Sequence, residues 1–269
     1  MPYAECSSRK IFYQNYGQGE PIIYLHGLMG SSGLNRFFGF DGRTLAENFM
    51  VLEYDALGHG QSSGSTNPED YQWRELAGIL NSLMKELNLK QAHLAGTSMG
   101  AGTIIQFSQD FPEKIKSMIL IAPPALEPGQ LKAIISGFEA LFKVIKEKGI
   151  ARAVEFLLQL PGNDLLKEKI PNFEKGLQAW LSLQNLDYIK ACALGLALES
   201  LEIEHLKKLE TPALIIGWKN DPVHPEKSVK KLNKVLKNSQ VHLLENMIPA
   251  LTKPNLISGL IKNFLEEKR

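Results

Sequence analysis

Short apolar runs alternate with stretches of helical period along most of this chain. The runs near 11–16, 21–25, 50–54, 90–95, 116–122, 212–217 and 240–245 have strand length and are bounded by turn residues. Between them, apolar positions recur at helical spacing near 33–48, 70–88, 98–110, 225–237 and 254–267. Strands that alternate with helices in this way predict a mainly parallel sheet covered on both faces. In such a sheet the chemistry falls in loops at the carboxyl ends of the strands.

One stretch breaks the alternation. From Pro123 to Leu209 the pattern is helical, with no convincing strand. Leu131, Ile134, Ile135, Phe138, Leu141, Phe142 and Ile145 follow the spacing of an amphipathic helix, and Leu177, Trp180, Leu181 and Gln184 suggest another. Residues 191–198 are apolar on all sides. Most of these side chains are expected to pack the helices onto the core. The remainder would line a pocket between the helices and the sheet.

Composition narrows the class. The chain has 269 residues, 44% of them hydrophobic, enough for one large α/β domain with an insertion. A formal net charge of +1 gives no electrostatic reason to expect nucleic acid or an acidic membrane surface. Cys6 and Cys192 stand far apart and fit no metal or redox spacing, so the expected compartment is a reducing cytoplasm. Residues 1–10 carry no apolar signal core, and no apolar run reaches the length of a membrane span. No His/Asp/Glu cluster has metal-ligand spacing and no Gly-rich loop has the phosphate-binding form, so neither metal nor cofactor is expected. The lysines at 227, 230, 231, 234 and 237 lie opposite Val229, Leu232, Val235 and Leu236 and read as the solvated face of a helix.

The candidate chemistry centres on Gly96-Thr97-Ser98-Met99-Gly100, a G-x-S-x-G run placed where the strand Ala92–Ala95 gives way to a helical pattern. That is the setting of a nucleophile elbow, a tight turn that lifts a serine hydroxyl over the sheet edge. Read by itself, the run also fits a glycine-flanked helix cap, with Ser98 only capping. Two further motifs favour the first reading. The apolar run 22–25 leads into His26-Gly27-Leu28-Met29-Gly30, and Val51–Tyr54 leads into Asp55-Ala56-Leu57-Gly58-His59-Gly60-Gln61-Ser62. H-G-x-x-G, D-x-x-G-H-G-x-S and G-x-S-x-G, in this order after successive strands, resemble the α/β-hydrolase superfamily over nearly the whole chain. The resemblance implies an α/β-hydrolase fold: a mainly parallel sheet of about eight strands with helices on both faces. It divides the chain into a core of residues 1–122 and 210–269 and a helical cap of residues 123–209.

The resemblance also implies a triad in the chain order serine, acid, histidine. Serine needs a base to take its proton, and the base needs an acid to orient it. Asp221, in Trp218-Lys219-Asn220-Asp221-Pro222 after the strand at 212–217, matches the family's acid position; a turn aspartate before proline is the other reading. The base is expected in a Gly-His pair about seven residues before the proline that opens the last helix. That proline is Pro254, and counting back reaches Met247, in Asn246-Met247-Ile248-Pro249. A thioether cannot take a proton from serine.

Six histidines remain to be weighed. His26 belongs to H-G-x-x-G and is expected to support the oxyanion loop. His59 is expected to be structural, His93 packed beside the sheet and His205 solvent-facing. His242 lies within the last strand, roughly 16 Å back from the catalytic edge. His224, three residues after Asp221, lies at the right edge. It is either a catalytic base or a turn residue before the helix that Pro225 opens. So close a spacing predicts that Asp221 cannot readily orient it and that a second carboxylate is needed. The oxyanion donors implied by the resemblance are the backbone N–H groups of Met99 and Leu28, helped by the start of the helix after Ser98.

The leading expectation is a hydrolase that cleaves a small carboxylic ester or related acyl compound through an acyl-serine. Its partner would be a small molecule with an apolar part. The alternative is a member of the fold that has lost turnover and binds a small apolar ligand.

Overall fold

The computed structural model describes residues 2–160, 163–253 and 255–268, and Pro254 lies outside them. An eight-stranded sheet runs in the order β1-β2-β4-β3-β5-β6-β7-β8. Its strands are β1 (Tyr3–Cys6), β2 (Arg9–Tyr16), β3 (Glu20–Leu25), β4 (Phe49–Tyr54), β5 (Ala92–Thr97), β6 (Ile115–Ile121), β7 (Ala213–Trp218) and β8 (Ser239–Leu244). The pairs β1/β2 and β2/β4 are antiparallel; every other pair is parallel.

Successive side chains of the central strands point to opposite faces, as the period of two requires. On β3, Ile23 and Leu25 join one apolar cluster while Ile22 and Tyr24 join the other. The first face is covered by α1 (Trp73–Glu86), α2 (Met99–Asp110) and the apolar side of α7 (Glu226–Val235). The second is covered by α9 (Leu256–Glu266), through Ile257, Ile261, Phe264 and Leu265, and by the segment carrying Phe40 and Leu45. The lysines of α7 are exposed, as a solvated helix face requires.

Between β6 and β7 lie the cap helices α3 (Pro128–Leu158), α4 (Asn163–Lys169), α5 (Phe173–Ser182) and α6 (Leu186–Leu196). Helix α3 is broken at Gly149, whose φ of 82° and ψ of 170° are non-helical. A short helix, α8 (Ile248–Thr252), follows β8. Among the described residues, no helix is long and apolar enough to cross a membrane.

Three expectations are corrected. The periodic stretch 33–48 is not a helix: it forms two 3-10 turns, Ser32–Leu34 and Gly42–Thr44. Gly39 takes a φ of 87° there, and a Cβ at Gly39 would lie 2.2 Å from the Ala250 carbonyl oxygen. Phe40 leaves the helical phase to stack on Tyr24, with ring centroids 3.6 Å apart. The opening strand is one arm of a hairpin. Ser7 and Ser8 both have positive φ, the conformation of a two-residue hairpin turn, but without the glycine or asparagine that signals it. His205 does not face solvent. It is half-buried and its Nε2 lies 2.9 Å from the Ser108 hydroxyl, tying the end of the cap to α2.

Candidate active site

The strands β3, β4, β5, β6 and β7 end along one edge, and each is followed by a segment of the site. Ser98 sits between β5 and α2 with φ 54° and ψ −111°, a conformation costly for a non-glycine residue. Its N–H donates to the Ile121 carbonyl at 2.9 Å. The flanking glycines permit the turn through space rather than flexibility. A Cβ at Gly96 would lie 2.6 Å from the Gly100 carbonyl carbon, and one at Gly100 would lie 2.2 Å from the Leu25 carbonyl oxygen.

The loop after β7 brings Asp221 and His224 to this serine. The His224 Nε2 lies 2.8 Å from the Ser98 Oγ, and its Nδ1 lies 2.9 Å from the Asp221 Oδ2. The nitrogen that faces a carboxylate carries the proton, so Nδ1–H donates to Asp221 and Nε2 is left to accept from the serine hydroxyl.

The expected obstacle, an acid too close in sequence to orient this histidine, does not arise. Asp221 Oδ1 accepts the N–H groups of Val223 at 2.8 Å and His224 at 3.0 Å. The backbone therefore wraps around the carboxylate as in an Asx turn, and the imidazole folds back over Oδ2. Asn220, at φ 58°, starts that reversal. Trp218 Nε1–H also donates to Oδ2, a contact that sequence reasoning missed. Burial works to raise the Asp221 pKa. The hydrogen bond from His224, its charge and the two backbone N–H groups outweigh it and hold the acid at about 2.

Met247 stands just before α8, half-buried, and packs against both apolar clusters. It is not among the described residues that line the cavity at Ser98. With His224 already in hydrogen-bond reach of Ser98, a Met247→His substitution is expected to leave ester turnover within about threefold of the parent. A rise of the about 10²–10⁴-fold that a restored general base contributes would show that Met247 holds the working position. Steady-state kinetics on an aryl acetate decides between them.

Leu28 lies in the turn Gly27–Gly30, closed by the Gly30 N–H donating to the Gly27 carbonyl at 2.9 Å. A Cβ at Gly27 would sit 3.3 Å from the Ser98 Cβ, so this turn packs directly on Ser98. Met29, fully buried, takes a φ of 61° that glycine would adopt more easily. Its carbonyl accepts the Trp180 Nε1–H of cap helix α5 at 2.8 Å. The sequence offered Trp180 only as a packing residue.

His26 supports the same turn. Its Nδ1–H donates to the Gly27 carbonyl at 2.8 Å and its Nε2 accepts the Ala56 N–H at 2.9 Å. Burial lowers its pKa, against the pull of the Asp55 charge. The Asp55 carboxylate in turn accepts the N–H groups of Ser32 at 2.6 Å and Gln61 at 2.8 Å. His59 is buried and donates its Nδ1–H to the Leu57 carbonyl, and burial together with His26 pushes its pKa down to about 3. The D-x-x-G-H-G-x-S segment is thus the scaffold of the edge. His93 packs partly buried beside the sheet, with Nδ1 2.8 Å from the Ser117 hydroxyl, and His242 lies exposed on β8.

Above Ser98 and His224 opens a cavity of about 160 Å³. Leu131, Ile134, Ile135 and Phe138 of α3, with Leu196 of α6, form its cap wall. Leu28 and Met99 line it beside the serine. Of the three phenylalanines of the 3-10 segment, Phe38 reaches the cavity, Phe40 is core and Phe37 is exposed.

This chain belongs to the alpha/beta hydrolase fold family, whose model matches residues 20–247. A 2-hydroxy-6-oxo-6-phenylhexa-2,4-dienoate hydrolase of Burkholderia cepacia is 24% identical over 249 residues, spanning 88% of this chain and 84% of its own. Among solved structures, MGS-M2, an alpha/beta hydrolase enzyme from a Medee basin deep-sea metagenome library, is similar with TM-score 0.82 and 24% identity, covering 98% of this chain and 97% of that one. The enol-lactonase of Burkholderia xenovorans LB400 is similar with TM-score 0.81 and 18% identity, covering 98% and 100%. The structural likenesses establish the fold.

Proposed function

We propose that this protein is a serine hydrolase that cleaves small carboxylic esters or related acyl compounds through an acyl-Ser98 intermediate. The observation that carries the reading is the single imidazole of His224, 2.8 Å from the Ser98 Oγ on one side and 2.9 Å from the Asp221 Oδ2 on the other. The Ser98 Oγ attacks the acyl carbon while its proton passes to His224 Nε2. The carbonyl oxygen becomes an oxyanion facing the N–H groups of Leu28 and Met99, and Met99 opens α2, whose first-turn N–H groups carry partial positive charge. His224 then gives its proton to the leaving alcohol. A water, deprotonated by the same nitrogen, attacks the acyl-serine and releases the acid. In this reading the core of residues 1–122 and 210–269 supplies the triad, and the cap of residues 123–209 supplies the substrate wall. The names of the hydrolase and the enol-lactonase compared above accord with attack at a carbonyl carbon.

A fluorophosphonate tests the reading. Mass spectrometry is expected to find the adduct on Ser98, absent in Ser98→Ala. A folded protein that stays unlabelled over hours overturns it and leaves the non-catalytic binder. The missing histidine at Met247 is what favours that alternative, and His224 within hydrogen-bond reach of Ser98 supports turnover instead.

The cap is expected to contribute to the oxyanion donors. Trp180 holds the carbonyl of a residue in an unfavourable conformation one step from Leu28. Trp180→Phe keeps an aromatic ring against Phe38 but deletes the donor. The expected result is a kcat lowered about five- to tenfold, the effect of one net hydrogen bond, with KM within about twofold. An equal change in kcat and KM, or none, would leave Trp180 as packing alone.

A further inference from the structure

We infer that this site selects uncharged substrates whose buried group is the size of a benzene ring or a six-carbon chain, and that it rejects substrates carrying a carboxylate on that group. The inference rests on the ester-hydrolase reading for its reaction and on the cavity alone for its selectivity.

Size comes first. A cavity of about 150 Å³ lined by Leu, Ile and Phe stays dry and binds benzene. The cavity over Ser98 has about 160 Å³ and a cap wall of the same side-chain types. A group of six or seven heavy atoms fills it. An acetyl group leaves most of the apolar wall unmatched, and a twelve-carbon chain has to leave through the mouth.

Charge comes second. Among the described residues that line the cavity there is no lysine, arginine, aspartate or glutamate. The ionisable side chains there are His26, kept neutral by burial, and His224, committed to Ser98 and Asp221. The other polar side chains are neutral: the Asn35 amide, the Trp73 indole N–H, and the Tyr24 and Thr97 hydroxyls, which bond each other at 2.7 Å. A substrate carboxylate would be buried without a counter-ion, a strongly unfavourable placement. Asp221, held ionised directly behind His224, adds a charge of the same sign.

The test is a series of p-nitrophenyl esters. From acetate to hexanoate, kcat/KM is expected to rise about fourfold for each buried methylene and then to level or fall by laurate, with benzoate close to hexanoate. The adipate monoester, a hexanoyl chain ending in a carboxylate, is expected at least about 100-fold below hexanoate. Its neutral amide, of nearly the same size, is expected within about tenfold of hexanoate. An Ile134→Trp variant, which fills the cavity from a half-buried helix position, is expected to lower the hexanoate-to-acetate ratio about tenfold or more. Adipate monoester cleaved as fast as hexanoate, or rates still climbing through laurate, would overturn the inference while leaving the hydrolase reading intact. If no ester is cleaved and Ser98 is not labelled, the hydrolase reading falls and the selectivity is still decided by calorimetry. Benzyl alcohol is then expected to bind and benzoate not to; equal binding of the two overturns the inference.

Discussion

His224→Ala is expected to lower kcat for a short-chain aryl ester by about 10⁴-fold or more, with the melting temperature little changed. A positioned general base contributes about 10²–10⁴-fold by itself. In a triad that acts as a unit, removing the base costs about as much as removing the nucleophile, up to about 10⁶-fold. The fold has little reason to collapse. Asp221 keeps its Trp218 donor and the backbone N–H groups of residues 223 and 224, so its carboxylate is not stranded. The measurement is steady-state turnover beside a thermal melt. A rate within about tenfold of the parent would mean that another group takes the Ser98 proton. Among the described residues the structure offers no second imidazole at Ser98. The other histidine among the described residues that line the cavity is His26, and both its nitrogens are engaged with backbone groups.

How much of this site could be read in the chain depended on how local its geometry is. The elbow was legible because both glycines are demanded by contacts within the strand-turn-helix unit or with the adjacent β3. Asp221 was legible because it follows a buried strand whose apolar run is unmistakable. His224 was visible as a candidate, but its partnership with Asp221 was not. A spacing argument treats a three-residue separation as extended chain, whereas the carboxylate folds that loop around itself. The contribution of the cap was hidden for another reason. Trp180 and Met29 are 151 positions apart, and their contact depends on how α5 docks on the core. The failed helix at 33–48 shows the same limit. Its apolar residues have helical spacing, but Phe40 is claimed by the Tyr24 ring and Gly39 by the approach of Ala250, so tertiary packing overrides the local period.

Asp221→Asn carries the other large effect and separates catalysis from stability. An asparagine amide retains the shape of the carboxylate. Its oxygen is needed by the backbone N–H groups of Val223 and His224, which leaves the NH₂ to face His224 Nδ1 and also the Trp218 Nε1–H, a donor it cannot accept. That imidazole then accepts at Nδ1 and carries its proton on Nε2, the nitrogen that takes the Ser98 proton in the proposed reaction. A wrong tautomer of this kind costs about 10⁴-fold in kcat with little change in geometry. The same substitution changes how stability depends on pH. The folded pKa of Asp221, about 2, lies below the ordinary value of 3.8. The carboxylate's contribution is therefore present in full above the unfolded pKa and is lost as pH falls from about 4 towards 2, and it amounts to about 2 kcal/mol. Urea denaturation of the parent and of Asp221→Asn, followed from pH 6 down to the acid limit, is expected to show curves that converge at low pH because only the parent loses this term. Parallel curves would mean that the carboxylate is not held ionised by its neighbours. A variant retaining more than about a hundredth of the parent kcat would mean that Asp221 does not set the tautomer of His224.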